Sequence, residues 1–192
     1  MFYRVLRVIA RAVFAFIWRV EAIGVRHVPA EGPVILCCNH ISVVDPPFIG
    51  APLNREVHFM AKAELFRIPL LRPLIVKLGA FPVKRGGVSK ESIRTALRLL
   101  AENRVIGIFP AGTRSADIGI GKKGAASLAL KSGATVIPVA IIGNYKPFRK
   151  MKIVYGPPVD LSEFRDDPSS EGLERATERI MASIKELAER HR

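Results

Sequence analysis

His40 and Asp45 are the pair in this chain whose types and spacing suit acid–base chemistry. They lie five residues apart in Cys38-Asn39-His40-Ile41-Ser42-Val43-Val44-Asp45-Pro46-Pro47. An imidazole held through one ring nitrogen by a carboxylate keeps the other nitrogen free to take a proton, as a general base must. On a continuous helix this separation would splay the two side chains onto different faces. A turn can fold them together, and the local sequence predicts one. The apolar run Val34-Ile35-Leu36-Cys37-Cys38 reads as a strand ending at His40, and Asp45-Pro46 reads as a helix start with Asp45 as N-cap. The same residues also fit a plain helix cap beside a satisfied polar histidine, and the pair alone does not decide between the two.

Three more loops, each following a predicted strand, carry groups that suit a phosphate. Lys62 follows Val57-His58-Phe59-Met60-Ala61, Lys84-Arg85 follow Ala80-Phe81-Pro82-Val83, and Gly112-Thr113-Arg114 lie just beyond Val105-Ile106-Gly107-Ile108-Phe109. Gly112 allows close backbone approach, Thr113 offers a hydroxyl, and Arg114 offers a planar fork for phosphate oxygens. Solvated surface charge is the competing reading, strongest for Lys84 and Arg85. Basic strand ends converging on a His–Asp base form the more specific pattern, because a phosphate-bearing nucleophile needs both.

The elements that must position these loops alternate in type. A strand over Glu21–Val28 and a Pro-Gly turn precede strand 34–38, and a short helix runs from about Pro46. Strand 57–61, helix 68–78 and strand 80–83 follow. Ser89 caps a helix with Ile93, Ala96, Leu97 and Leu100 on one face. The apolar strand 105–109 reads as central to the sheet. A helix over 123–131, strand 135–142, an edge strand 152–155 and an amphipathic helix from about Ser170 complete the chain. That last helix carries Leu173, Ala176, Ile180, Ile184 and Leu187 as its inward stripe. The alternation predicts one α/β sandwich domain, residues 21–192, around a largely parallel or mixed sheet, with loops at strand carboxyl ends forming the site.

Residues 1–20 stand apart. Arg4, Arg7 and Arg11 recur at helical spacing with Arg19 near the same face, and Val5, Leu6, Ile9, Val13, Phe16 and Ile17 cover the other side. The longest uncharged run, Ala12–Trp18, is seven residues, against the roughly 20 needed to span a bilayer. A signal peptide fits poorly because Arg11 interrupts the apolar stretch. An interfacial helix using Arg4, Arg7, Arg11, Phe16, Trp18 and Arg19, or a helix packed on the domain, are the readings left, with the basic and aromatic residues favouring the interface.

The 192 residues carry 30 Lys+Arg against 17 Asp+Glu, a net charge of +13, so anionic partners are expected. Aromatic content of 7% without a stacking-platform motif argues against single-stranded nucleic acid, and acidic lipid or phosphorylated substrates, not nucleic acid, are the expected partners. Cys37 and Cys38 are adjacent on a predicted strand and point to opposite faces, which indicates a reducing compartment and no disulfide. The four histidines show no metal-ligand spacing.

Four segments in order carry a resemblance to a family: Asn39-His40 through Asp45; Lys62-Ala63-Glu64-Leu65 with Gly79 to Arg85; Phe109-Pro110-Ala111-Gly112-Thr113-Arg114-Ser115; and Val136-Ile137-Pro138-Val139-Ala140. Together they resemble the glycerolipid acyltransferases, specifically the bacterial lysophosphatidic acid acyltransferases, over almost the whole chain. The resemblance implies transfer of a fatty acyl group from acyl-CoA or acyl-carrier protein to the 2-hydroxyl of lysophosphatidic acid, with no cofactor, at the cytoplasmic face of the membrane as a peripheral protein. His40 would be the general base and Asp45 its orienting partner. Lys62 and Arg114, with Arg85, Gly112 and Thr113, would hold the acceptor phosphate.

One position departs from the pattern. Family members carry glutamate where this chain has Ala111, and a methyl group can neither accept a hydrogen bond nor hold an arginine. An engineered knock-down, a natural variant with altered activity and a non-catalytic relative are the three explanations. The otherwise intact motif favours the first. Two other functions compete with acyl transfer: a basic lipid-binding module without turnover, and a thioesterase using Cys38 as nucleophile activated by His40.

Overall fold

The computed structural model describes residues 2–83, 90–111, 123–167 and 169–192. Its strands are β1 (Glu21–Ile23), β2 (Val34–Cys38), β3 (Val57–Lys62), β4 (Phe81–Val83), β5 (Val105–Ile108), β6 (Thr135–Ile142) and β7 (Lys152–Tyr155). They form one sheet in the order β1-β7-β6-β2-β5-β3-β4, parallel throughout except for the antiparallel β6–β7 pair. The helices are α1 (Phe2–Trp18), α2 (Asp45–Gly50), α3 (Leu71–Lys77), α4 (Lys90–Ala101), α5 (Gly124–Ser132) and α6 (Ser170–Arg190). The result is the α/β sandwich that the alternation of strands and helices implies.

Strand periodicity divides the core into two layers. On β2, Ile35 and Cys37 face the cluster built with Ala96, Leu100, Ala126 and Ile180 from α4, α5 and α6. Val34, Leu36 and Cys38 face the opposite cluster with Phe48 of α2 and Phe14 of α1. All five β2 residues are buried, which explains why the strand reads as a continuous apolar run rather than an alternating one. Ser169 caps α6, accepting from Gly172 N at 3.0 Å, and the α6 residues Ala176, Ile180, Ile184 and Leu187 are buried as the stripe requires.

Three expected elements differ. The first strand stops at Ile23 rather than Val28, because Gly24 takes a φ of 73° and the chain turns through a 3-10 segment, Val25–His27. The helix expected from 68 begins at Leu71: Ile68 is extended, as a residue before proline tends to be, and a 3-10 turn fills Ala63–Arg67. Strand β7 is not an edge, since β1 pairs beyond it with Glu21 opposite Lys152. The Ser89 cap lies outside the described residues.

α1 packs on the body through the face that carries Tyr3, Arg7, Ala10, Phe14 and Trp18. Arg7 Nη1 donates to Leu53 O at 2.5 Å, and Tyr3 Oη accepts from Val57 N at 3.1 Å. Phe14 is buried against Phe48, ring centroids 5.3 Å apart. Arg7 and Trp18, expected at an interface with lipid, therefore turn toward the domain. Arg4, Arg11, Arg19 and Phe16 are exposed, as are Phe2, Val5, Val8, Ile9 and Val13.

Gly107 on β5 lies opposite Phe59 on β3, and a Cβ there would sit 2.0 Å from Phe59 Cε1. The missing side chain is what lets the Phe59 ring lie across the sheet. Gly107→Ala is expected to lower unfolding stability by about 1–3 kcal/mol, the usual penalty of overpacking. Chemical denaturation checks this, and an unchanged midpoint would contradict the steric argument.

Candidate active site

The site begins where β2 ends. Asn39 is buried, and its amide pairs with both backbone groups of Ile141 on β6: Nδ2 donates to the carbonyl at 3.0 Å and Oδ1 accepts from the N–H at 2.8 Å. The side chain acts as an extra peptide of the ladder, so the chain leaves the sheet at a fixed point and His40 follows immediately.

The next five residues close on one carboxylate. Asp45 has a relative side-chain exposure of 0%, and His40 of 15%. Asp45 Oδ2 accepts from His40 Nδ1 at 2.6 Å, from Ile41 N at 2.7 Å and from Ser42 N at 2.8 Å. Its Oδ1 accepts from the Tyr145 hydroxyl at 2.7 Å. Asp45 is thus not the N-cap: Val44 occupies that position, and Asp45 is the first helical residue with its carboxylate turned back into the loop. The physical reason is the pair of loop N–H groups, which have no other partner within the turn and are best met by a charged acceptor.

An oxygen that accepts two backbone N–H groups also accepts from the imidazole, so Nδ1 carries the ring proton and Nε2 presents its lone pair. The ring is further fixed by stacking on Phe109, centroids 4.0 Å apart at 21°, with Phe59 stacked behind Phe109 at 6.2 Å. This geometry suits removal of a proton from a hydroxyl placed beside Nε2.

Electrostatics separates the two candidate nucleophile routes. Burial, and next the Asp45 charge, push the Cys38 thiol well above its usual range, and burial alone pushes Cys37 up to about 12. Cys38 Sγ donates to Asn39 Oδ1 at 3.5 Å. Both cysteines are free and buried, on opposite faces of β2. Such a thiol does not form the reactive thiolate that a thioesterase nucleophile needs.

Lys62 is the last residue of β3 and is exposed. β3, β5 and β2 are mutually parallel, so Lys62 projects from the same sheet edge as His40. Lys84, Arg85, Gly112, Thr113 and Arg114 lie outside the described residues. Ala111 is half-buried and packs against the cluster beneath α4, α5 and α6. Among the described residues no group of three or more His, Cys, Asp or Glu side chains could hold a metal ion. Tyr145 was not expected here. It lies 100 residues from Asp45, and a tyrosine after a Gly-Asn turn carries no local signal of a buried role.

Similar sequences and a similar fold occur among known proteins. A family model described as acyltransferase matches residues 19–142. The chain is 34% identical over 174 residues to the 1-acyl-sn-glycerol-3-phosphate acyltransferase of Bacillus subtilis (strain 168), covering 88% of this chain and 87% of the relative. It is 31% identical over 131 residues to the protein of the same name from Borreliella burgdorferi, 66% of this chain and 52% of that one. Among solved structures it resembles the 1-acyl-sn-glycerophosphate (LPA) acyltransferase PlsC of Thermotoga maritima, with a TM-score of 0.76 at 25% identity over 98% of this chain and 79% of that one.

Removing the carboxylate strands its donors. Asp45→Ala is expected to destabilise the fold by about 1–3 kcal/mol for each buried donor left unmet. His40→Ala removes one donor and leaves the loop N–H bonds intact, so it should be clearly the milder change in the same denaturation experiment. Equal effects would show that the loop does not depend on Asp45.

Proposed function

The chain belongs to the acyltransferase family, and from that premise we propose that it moves a fatty acyl group from a thioester to the 2-hydroxyl of 1-acylglycerol 3-phosphate, a step of phospholipid synthesis. The observation that carries the proposal is the His40–Asp45 pair with Nε2 left to accept a proton. The names of the similar proteins supply the acceptor.

In this reading His40 Nε2 takes the hydroxyl proton as the acceptor oxygen attacks the thioester carbonyl carbon. Asp45 steadies the imidazolium that forms. The tetrahedral adduct collapses with cleavage of the carbon–sulfur bond, and the imidazolium returns its proton to the departing thiolate. No acyl-enzyme is formed. Lys62, Arg85 and Arg114, helped by Gly112 and Thr113, hold the acceptor phosphate. The donor is acyl-CoA or acyl-carrier protein.

The acceptor is an anionic lipid, and we place the protein peripherally on the cytoplasmic face of a membrane. The net charge of +13 supports attraction to acidic headgroups. The outward stripe of α1 supports insertion into the interface, and Phe148 extends it, edge-on to Phe16 at 6.3 Å. No helix among the described residues is long and apolar enough to cross a membrane. A lipid-binding relative without turnover is the second reading, favoured only by Ala111.

Thiol release from acyl-CoA, with lysophosphatidic acid in mixed micelles and acyl-carrier protein as the second donor, tests the reaction. Ala111→Glu is expected to be the more active form. His40→Ala should lower kcat in the active form by about 10²–10⁴-fold, while Cys38→Ala should leave it within about twofold, and loss of activity in Cys38→Ala would revive the thiol route. Silence of Ala111→Glu with both donors would favour the lipid-binding reading. Co-sedimentation with anionic vesicles should drop in Ile9→Glu/Phe16→Glu, and unchanged binding would remove α1 from the membrane assignment.

A further inference from the structure

We propose that Tyr145 is a positioning residue for acyl transfer: its hydroxyl fixes the Asp45 carboxylate, and through it the His40 base, to the helix that faces lipid. The role as a positioning residue rests on the acyltransferase reading above. The hydrogen-bond chain itself does not.

The bonding of Asp45 is divided between its two oxygens. Oδ2 is fully taken by His40 Nδ1 and two loop N–H groups, while Oδ1 receives the Tyr145 hydroxyl. Burial, followed by the Asp45 charge, raises the Tyr145 phenol far above its usual range, so it stays a donor at every working pH. Its ring is locked as well. Trp18 meets it edge-on at 5.3 Å and 89°, Phe48 at 5.2 Å and 70°, and Phe14 stands 5.3 Å from Phe48 and 5.7 Å from Trp18.

The loop that carries Tyr145 is strapped to the last turn of α1. Phe148 N donates to Ile17 O at 2.6 Å, and Met151 N donates to Trp18 O at 3.1 Å. Phe148 holds a left-handed φ of 62°, unusual for a bulky side chain, and its ring is exposed beside Phe16. One end of the loop therefore reaches the Asp45 carboxylate, and the other lies on the outward stripe of α1.

A donor on Oδ1 draws charge from Oδ2 and tempers how strongly Asp45 favours the protonated imidazole. With the hydroxyl removed, the charge concentrates on Oδ2, the imidazolium gains, and His40 protonates at a higher pH. The Asp45 charge acts on the buried, neutral Cys38 thiol and on Tyr145, and Ile41 N and Ser42 N donate to its other oxygen. Phe109 stacks on the His40 ring, and Phe48 and Trp18 pack on the Tyr145 ring.

The test is Tyr145→Phe, which keeps the ring and its packing. Histidine ring signals followed by NMR across pH should show the His40 signal displaced to higher pH relative to the parent protein, with His27, His58 and His191 unmoved. In the active form kcat should fall about tenfold, with KM for both substrates unchanged and the acid limb of the rate profile displaced upward. Tyr145→3-fluorotyrosine, a stronger donor of nearly the same shape, should move that signal to lower pH and decides the matter if Tyr145→Phe fails to fold. Superimposable titrations would overturn the proposal even in an active enzyme. A shifted titration in a protein silent with every donor would instead confirm the hydrogen-bond chain and count against acyl transfer.

Discussion

A carboxylate withdrawn from water is tolerated only when its lone pairs are met, and Asp45 is withdrawn completely. Four donors meet it: an imidazole, two loop N–H groups and a phenol. Any rearrangement of the loop between β2 and α2 would leave part of this set unpaired inside the protein. The buried charge therefore dictates the loop conformation, and the loop conformation dictates the tautomer and direction of the His40 ring. The imidazole comes pre-oriented because the fold cannot otherwise hold Asp45.

The sheet supplies the second restraint. Neighbouring parallel strands bring their carboxyl ends to one edge, so residues far apart in sequence reach one ring. Phe109, one residue beyond β5, stacks on the imidazole. Phe59 of β3 supports Phe109 because Gly107 leaves it room. Asn39 pins the β2 exit to β6 with two bonds. A planar ring stacked on one face and hydrogen-bonded at one edge keeps little freedom, which is what a base needs if proton transfer is to begin from a productive geometry.

Much of this was legible in the sequence wherever a local signal exists. The apolar run 34–38 and the Asp-Pro step announced a strand, a turn and a helix, so the meeting of His40 and Asp45 could be anticipated. The direction of the carboxylate could not. An Asp before proline looks like an N-cap, and only the unmet Ile41 and Ser42 N–H groups turn it backward. The alternation of strands and helices gave the sandwich, whereas the placement of β7 inside the sheet depends on the three-residue β1, too short to leave a periodic trace. Tyr145 was invisible because its partner is remote, and hydrogen bonds of that range have no sequence period. On α1, arginine spacing suggested one polar face, yet Arg7 turns inward to Leu53 O. A long side chain can carry its charge to a buried carbonyl from a position that a helical wheel would assign to the surface.

α1 is where the fold and the proposed function meet. An ordinary surface helix has one apolar stripe, and burying it against the body satisfies the helix. α1 has two: Phe14 and Trp18 complete the core beside α2, while Val5, Ile9, Val13 and Phe16 remain outside. Exposed apolar surface of this extent carries a solvation penalty that folding alone does not relieve. On the proposed reading a lipid interface relieves it, and the same helix presents its inner face to the aromatic rings around Tyr145. Two constraints then act on one element. The inner face must preserve the packing that holds the base, and the outer face must match the surface from which the acceptor comes. A substitution on either face would be felt at the other through Trp18, which belongs to the inner face and closes the helix at the loop carrying both Tyr145 and Phe148.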